Sequence, residues 1–225
     1  MDHKLIVFDW NGTILSDAQQ SLEAGNVCLE FYGAAPITLQ KYRETFTFPI
    51  MHFYKKNGLS VDEVLAKKDE ANEVFQDAYD ALVTNARTRS GARDLLKWIK
   101  SQGFSCIILS NYRTEKIKAH LKRLKIDQYF SHVSAFGCEG ATIVEVANKK
   151  ERLSEFMVKR GYKPDDVILV GDSTEEPKIA RALGLKSIGI TDGYITTTRL
   201  RAANPDYIVN TLTEIKPILR QEWEA

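Results

Sequence analysis

The sequence is short of several features, and each shortage removes a class of protein. Cysteine is scarce: Cys28, Cys106 and Cys138 are odd in number and far apart. No Cys-x-x-Cys pair or Cys/His zinc spacing is present, so neither a disulfide framework nor a zinc module is indicated. The three read as reduced thiols, with Cys106, inside an apolar run, a small buried hydrophobe. Charge of one sign is also lacking. Lys and Arg number 31 against 30 Asp and Glu, a formal net charge of +1. That balance carries no footprint for a nucleic-acid partner. No apolar run approaches a membrane span. The four residues Leu5 to Phe8 are too few for the core of a signal peptide. The expectation is a cytoplasmic protein with no membrane partner. Internal repeats and low-complexity segments are absent as well.

What is present is ordinary for a globular chain: 225 residues, 44% hydrophobic and 27% charged. This is enough for one large domain, or a core domain carrying an insert. Four short apolar runs stand out: Leu5 to Phe8, Cys106 to Leu109, Val167 to Val170 and Ser187 to Ile190. Bounded by polar or turn residues, they read as strands buried on both faces of a parallel sheet. Val133 to Phe136 and Tyr207 to Val209 are weaker candidates. Helical spacing separates them over Ala92 to Gln102 (with Gly103 as a stop), Thr114 to Leu124, Glu151 to Lys159, and Glu176 to Leu183 before Gly184. Alternating strands and helices predict a doubly wound α/β sheet.

From about Asp17 to Ser90 the rhythm breaks. No convincing strand occurs, and helical periodicity takes over in Leu22, Val27, Leu29 and Phe31 and again in Val74 to Leu82. Thr38 is placed to cap a helix beginning near Leu39. The sequence therefore predicts a small all-helical cap over residues 17–89, inserted after the first strand. The core occupies 1–16 and 90–225.

In open α/β sheets, ligands bind beyond the carboxyl ends of the strands. Three predicted strand ends carry polar chemistry: Asp9, Ser110-Asn111, and Asp172-Ser173 with Glu175 and Glu176 just after. Lys149-Lys150 opens the helix before the last of them. Carboxylates, a hydroxyl and a cation at one edge suit phosphoryl transfer, which needs a nucleophile, a divalent cation and positive groups on the phosphate oxygens.

These segments resemble the motifs of the haloacid dehalogenase superfamily of phosphatases, in order and over nearly the whole chain. Asp9-Trp10-Asn11-Gly12-Thr13 is similar to the first motif, Asp-x-Asp-Gly-Thr. Ser110 matches the second and Lys149 the third, with Lys150 its rival. Gly171-Asp172-Ser173-Thr174-Glu175-Glu176 matches Gly-Asp-Ser/Thr-x-x-Asp. The helical insert sits where phosphoglycolate-phosphatase-like members carry a cap. The resemblance implies a Rossmann-like core and a small phosphorylated metabolite as substrate, hydrolysed through an aspartyl-phosphate on Asp9 with Mg²⁺ as cofactor. It also implies site roles. Asp9, Asp172, Glu176 (or Glu175) and the Asn11 backbone carbonyl would hold the metal. Gly12, Thr13, Ser110, Asn111 and Lys149 would hold the phosphate. The chain is expected as a monomer or weak homodimer.

One departure matters. The family's second Asp protonates the leaving group and then activates water, and here it is Asn11. An amide does not exchange a proton this way at neutral pH, and losing general acid–base help costs roughly 10²–10⁴ in rate. A substitute donor such as His52 or Tyr54, or a group on the substrate, would be needed. Arg43, Lys55 and Lys56 are candidate cap cations. Two alternatives follow: a catalytically attenuated phosphate-binding or regulatory protein, and a phosphonate hydrolase. The latter tolerates a non-acidic residue at this place but needs a cap lysine where Ile50 falls.

Overall fold

The computed structural model describes residues 4–136 and 149–223; Cys138 lies outside them. In chain order the core opens with β1 (Leu5–Phe8) and β2 (Leu15–Ser16). The insert follows as α1 (Ala18–Phe31), α2 (Leu39–Thr45), α3 (Ile50–Lys56), α4 (Val61–Ala66) and α5 (Lys68–Val83). The core resumes with β3 (Arg87–Thr88), α6 (Ala92–Ser101), β4 (Ser105–Arg113), α7 (Thr114–Arg123) and β5 (His132–Phe136). It continues through α8 (Lys149–Arg160), β6 (Val167–Gly171), α9 (Glu175–Leu183), β7 (Lys186–Ile190), α10 (Thr197–Ala202), β8 (Tyr207–Val209) and α11 (Ile215–Trp223).

Six strands form one sheet in the order β5-β4-β1-β6-β7-β8, and every pairing is parallel. Both faces of β1 are buried, as a continuous apolar run requires. Side chains alternate across a strand. Ile6 and Phe8 therefore join the cluster holding Leu95, Ile117 and Leu219, while Leu5 and Val7 join Leu153, Met157 and Ile179 on the opposite face. Helices α6, α7 and α11 thus cover one face, and α8 and α9 the other. Trp223 packs on the core, its ring 5.1 Å from Phe104.

The insert is helical throughout, and its own cluster includes Leu22, Leu29, Tyr42, Phe46 and Phe53. Tyr194, Ile195 and Leu200 of the core side share that cluster. Thr38 accepts a hydrogen bond from the Lys41 amide and caps α2. Val27, placed by periodicity on the apolar face of α1, is instead exposed. β2 and β3 pair as a two-residue antiparallel ribbon at the neck of the insert, Leu15 opposite Thr88 and Ser16 opposite Arg87. A strand of two residues is too short to leave a period in the sequence, which is why none was predicted near residue 87.

Candidate active site

β1 lies between β4 and β6 in the sheet, so the residues at their carboxyl ends meet. Asp9 continues the ladder past β1, its amide donating to the Val170 carbonyl at 2.9 Å. The chain then turns tightly, with the Ile14 and Leu15 amides both donating to the Trp10 carbonyl at 3.0 and 2.9 Å. Gly12 makes that turn possible at φ +73°, and a Cβ there would lie 2.3 Å from Asp172 Oδ2. The backbone of the first motif is therefore pressed against the carboxylate of the last.

Asp172 is held from two sides. Thr13 Oγ1 donates to Oδ1 at 2.8 Å and the Tyr194 amide donates to Oδ2 at 2.7 Å. Thr13 thus reaches the second carboxylate. Burial pushes the Asp172 carboxyl up to about 6, with Glu176 adding to the rise and Tyr194, Thr13 and Arg89 opposing it. Burial pushes Asp9 up as well, against the pull of Lys149 and helped by the negative charges of Glu176 and Asp172.

Lys149 is buried while Lys150 is exposed. Its Nζ lies 3.1 Å from Asp9 Oδ1, 3.0 Å from Glu175 Oε2 and 2.8 Å from Glu176 Oε1. Burial alone would lower this ammonium. The three carboxylates more than offset that, so it stays charged. Glu176 spends its oxygens internally, Oε1 on Lys149 and Oε2 on the Ser173 hydroxyl at 2.8 Å. Ser110 is fully buried; its Oγ accepts from the Tyr112 amide at 3.1 Å, leaving its own O–H to donate. Asn111 is flanked by Glu175 Oε2 and an Arg152 nitrogen, each at 3.3 Å.

Asn11 has two partners that sequence reasoning did not assign. Its Nδ2 donates to Asp17 Oδ2 at 2.8 Å and to the Tyr79 hydroxyl at 2.7 Å. Asp17 also accepts from the Gly12 amide at 2.7 Å, from the Tyr194 hydroxyl at 2.8 Å and from the Tyr79 hydroxyl. Burial raises the Asp17 carboxyl although all four donors favour its ionised form. No local signal marks this cluster, because Tyr79 is 68 residues and Tyr194 183 residues from Asn11. Arg89, at the neck, was also missed. It donates to the Gly12 carbonyl at 2.7 Å and the Thr191 carbonyl at 2.6 Å, tying the turn after Asp9 to the loop after β7.

The proposed cap cations fall elsewhere. Arg43 donates to the carbonyls of Gly193 and Asp192, bracing the insert on the core, and Lys55 and Lys56 are exposed. His52 is exposed, whereas Tyr54 and Ile50 line the cavity above Asp9. Burial holds the Tyr54 hydroxyl well above its usual range, so it retains its proton.

The haloacid dehalogenase-like hydrolase family matches residues 6–190. The chain belongs to that family. Within it, the chain is 26% identical to the phosphoglycolate phosphatase of Synechococcus elongatus, over 96% of this chain and 97% of the relative. It is 23% identical to the phosphoglycolate phosphatase of Vibrio vulnificus, over 96% of each chain. The fold superposes on a haloacid dehalogenase-like hydrolase from Streptococcus pneumoniae with a TM-score of 0.79. Identity there is 20%, over 97% of this chain and 99% of the other.

For this hydrolase the family implies a divalent cation. Among the described residues, no group of three or more His, Cys, Asp or Glu forms a ready metal cage. The donor chemistry nevertheless fits a hard ion. Asp9 and Asp172 are buried carboxylates, the negative charge of Asp172 helping to raise Asp9, and the Asn11 backbone adds a neutral oxygen. A dication would relieve that repulsion. Among the described residues no helix is long and apolar enough to cross a membrane.

Proposed function

We propose that the protein is a Mg²⁺-dependent phosphatase acting on a small-molecule phosphate monoester, with Asp9 as nucleophile. The observation that carries this reading is the placement of Asp9. Its carboxylate lies 3.1 Å from Lys149 Nζ and lines one cavity with Ser110, Asn111 and Asp172. Asp9 would attack phosphorus and take the phosphoryl group, so that hydrolysis splits into two easier displacements. The Ser110 hydroxyl and the Asn111 amide would donate to phosphate oxygens, and Lys149 would offset their charge. Asp9, Asp172 and the Asn11 carbonyl would hold Mg²⁺, which when bound supplies the positive charge that buried phosphate and carboxylates lack. Glu176 would act mainly by fixing Lys149, since both its oxygens are already engaged. Residues 17–89 would serve as the cap and 1–16 with 90–225 as the catalytic core.

The test is phosphate release from a panel of monoesters with and without Mg²⁺, by the wild type and by Asp9→Asn. Turnover should require the metal and fall roughly 10³-fold or more in the variant, as loss of a nucleophile does. Unchanged turnover in Asp9→Asn would remove Asp9 from the role.

A second reading has one observation in its favour: the Asn11 amide nitrogen is turned to Asp17 and Tyr79. A phosphate-binding protein with attenuated catalysis would bind phosphate but release none from any ester.

A further inference from the structure

The cavity over Asp9 has a volume of about 120 Å³. At its floor lie Asp9, Ser110, Lys149 and Asp172. Its walls are rings, among them Tyr42, Phe46, Phe53, Phe75, Tyr79 and Tyr194. The rings of Phe75 and Tyr79 stack on one another, centroids 5.6 Å apart and planes 7° from parallel. Tyr42 and Phe46 also stack, centroids 5.0 Å apart and planes 28° from parallel. Flat aromatic groups pack favourably against the edges and outer faces that such stacked pairs leave open.

The cavity is also long. Helix α5 lines it from Tyr79, which touches Asn11, back through Phe75, Asn72 and Ala71 to Lys68. At 1.5 Å per residue those eleven steps cover about 16 Å. Among the described residues, the cations lining the cavity are Lys149 and Lys68. Lys149 is bound by three carboxylates, and Lys68 stands at the remote end of α5. A short alcohol bearing its own carboxylate would place that charge among rings, where an unpaired charge is costly to bury.

The floor of the cavity points the same way for an independent reason. The Asn11 amide nitrogen is turned to Asp17 and the Tyr79 hydroxyl, and an amide gives up no proton at neutral pH, so the side chain cannot protonate the leaving group. Asp17 itself lies behind Asn11 and is not part of the cavity lining. A leaving group in this site therefore departs as an anion. A phenol, with a pKa of about 10, tolerates that far better than an alcohol whose O–H is nearly as weak an acid as water, about 15.7.

Resting on the phosphatase reading above, we propose that the substrate is a phosphate monoester of a phenolic alcohol, its ring system lying in the aromatic cavity along α5. An Asp9 carboxylate oxygen forms the bond to phosphorus as the bond from phosphorus to the phenolic oxygen breaks. The electron pair leaves on that oxygen, which takes its proton from water and leaves a hydroxide ion. Water then attacks the phosphorus of the aspartyl-phosphate, the pair of the broken bond returns to Asp9, one water proton stays on the phosphate and the other neutralises that hydroxide. The sum is aryl phosphate plus water giving phenol plus hydrogen phosphate.

The experiment measures kcat/KM of the Mg²⁺-loaded full chain on three sets of esters. These are a series of substituted phenyl phosphates spanning leaving-group pKa, 1-naphthyl phosphate, and the alkyl esters 2-phosphoglycolate and glycerol 3-phosphate. Aryl esters should exceed alkyl esters by about 10²-fold or more, the factor general-acid help usually supplies, and rates should climb steeply as the phenol becomes more acidic. Ile50→Arg, which places a charge in the ring-lined wall, should raise KM for 1-naphthyl phosphate severalfold while inhibition by inorganic phosphate is unchanged. Alkyl esters turned over as fast as aryl esters, or a flat dependence on leaving-group pKa, would overturn the proposal and leave the phosphatase reading standing. Release of phosphate from no ester at all would remove both.

Discussion

Nδ2 of Asn11 sits 2.8 Å from Oδ2 of Asp17, so the residue at the family's acid–base position is turned into a structural donor to a buried carboxylate. The same carboxylate receives the hydroxyls of Tyr79 from the insert and Tyr194 from the core side. Insert and core are thereby joined at the position where leaving-group chemistry would occur.

Asn11→Asp should raise turnover of alkyl phosphates by roughly 10²-fold, within the range of restored acid–base catalysis. The new carboxyl would share a buried site with Asp17, and two such groups cannot both ionise, so one stays protonated at neutral pH. Aryl phosphates should change little. Steady-state rates on both ester types read the difference, and an equal gain on both would contradict it.

Asp172 offers a test of the metal site with a defined sign. Its carboxyl is raised from 3.8 to about 6 by burial, so without metal its ionisation opposes folding. That contribution is most favourable below pH 3.8 and is lost as pH rises through about 6. Asp172→Asn should therefore raise the metal-free Tm at pH 7, because Asn can still accept from the Tyr194 amide and donate to Thr13. The variant should lose the rise in Tm that Mg²⁺ produces in the wild type. In the wild type, calorimetry should find Mg²⁺ binding weaker at pH 5 than at pH 7.5, since the ligand must be deprotonated.

Lys149→Met would leave Glu176, itself wholly buried, without its cation. Breaking a buried pair from one side costs about 3–5 kcal/mol, readable as a lower urea midpoint. Adding Glu176→Gln should recover most of that stability, because the amide carbonyl can still accept from Ser173. It should not recover turnover, because the phosphate would still lack Lys149.

Gly12→Ala combines two penalties. The left-handed backbone costs a residue with a Cβ about 1–2 kcal/mol, and the methyl would collide with Asp172 Oδ2. Displacing that carboxylate should weaken Mg²⁺ binding more than it lowers Tm, which titration and melting measured on one preparation will separate.

Much of this was legible from residue order. Leu5 to Phe8 and Val167 to Val170 are apolar runs with turn residues behind them, so burial on both faces follows from composition alone. Asp9 and Asp172 sit just past strand ends because a parallel sheet gathers such ends; Ser110, expected just past its strand, lies inside β4, which runs on to Arg113 through a register shift after Leu109. The helical insert was legible because its 3.6-residue period differs from the strand signal. The β2–β3 neck and the exposure of Val27 were not, since a two-residue ribbon has no period and periodicity does not say which flank of a helix finds a neighbour.

By itself, then, the sequence determined the alternation of elements, the order of the motifs and the replacement of an acid by Asn11. These are local facts, written in neighbouring residues. The tertiary structure alone decided what Asn11 does instead, that Lys149 and not Lys150 is the buried cation, and that the cavity wall is made of rings. Each of those depends on residues far apart in the chain that meet only when the insert folds back over the sheet. Hydrogen bonds and desolvation act over a few ångströms, and no spacing in the sequence encodes that proximity.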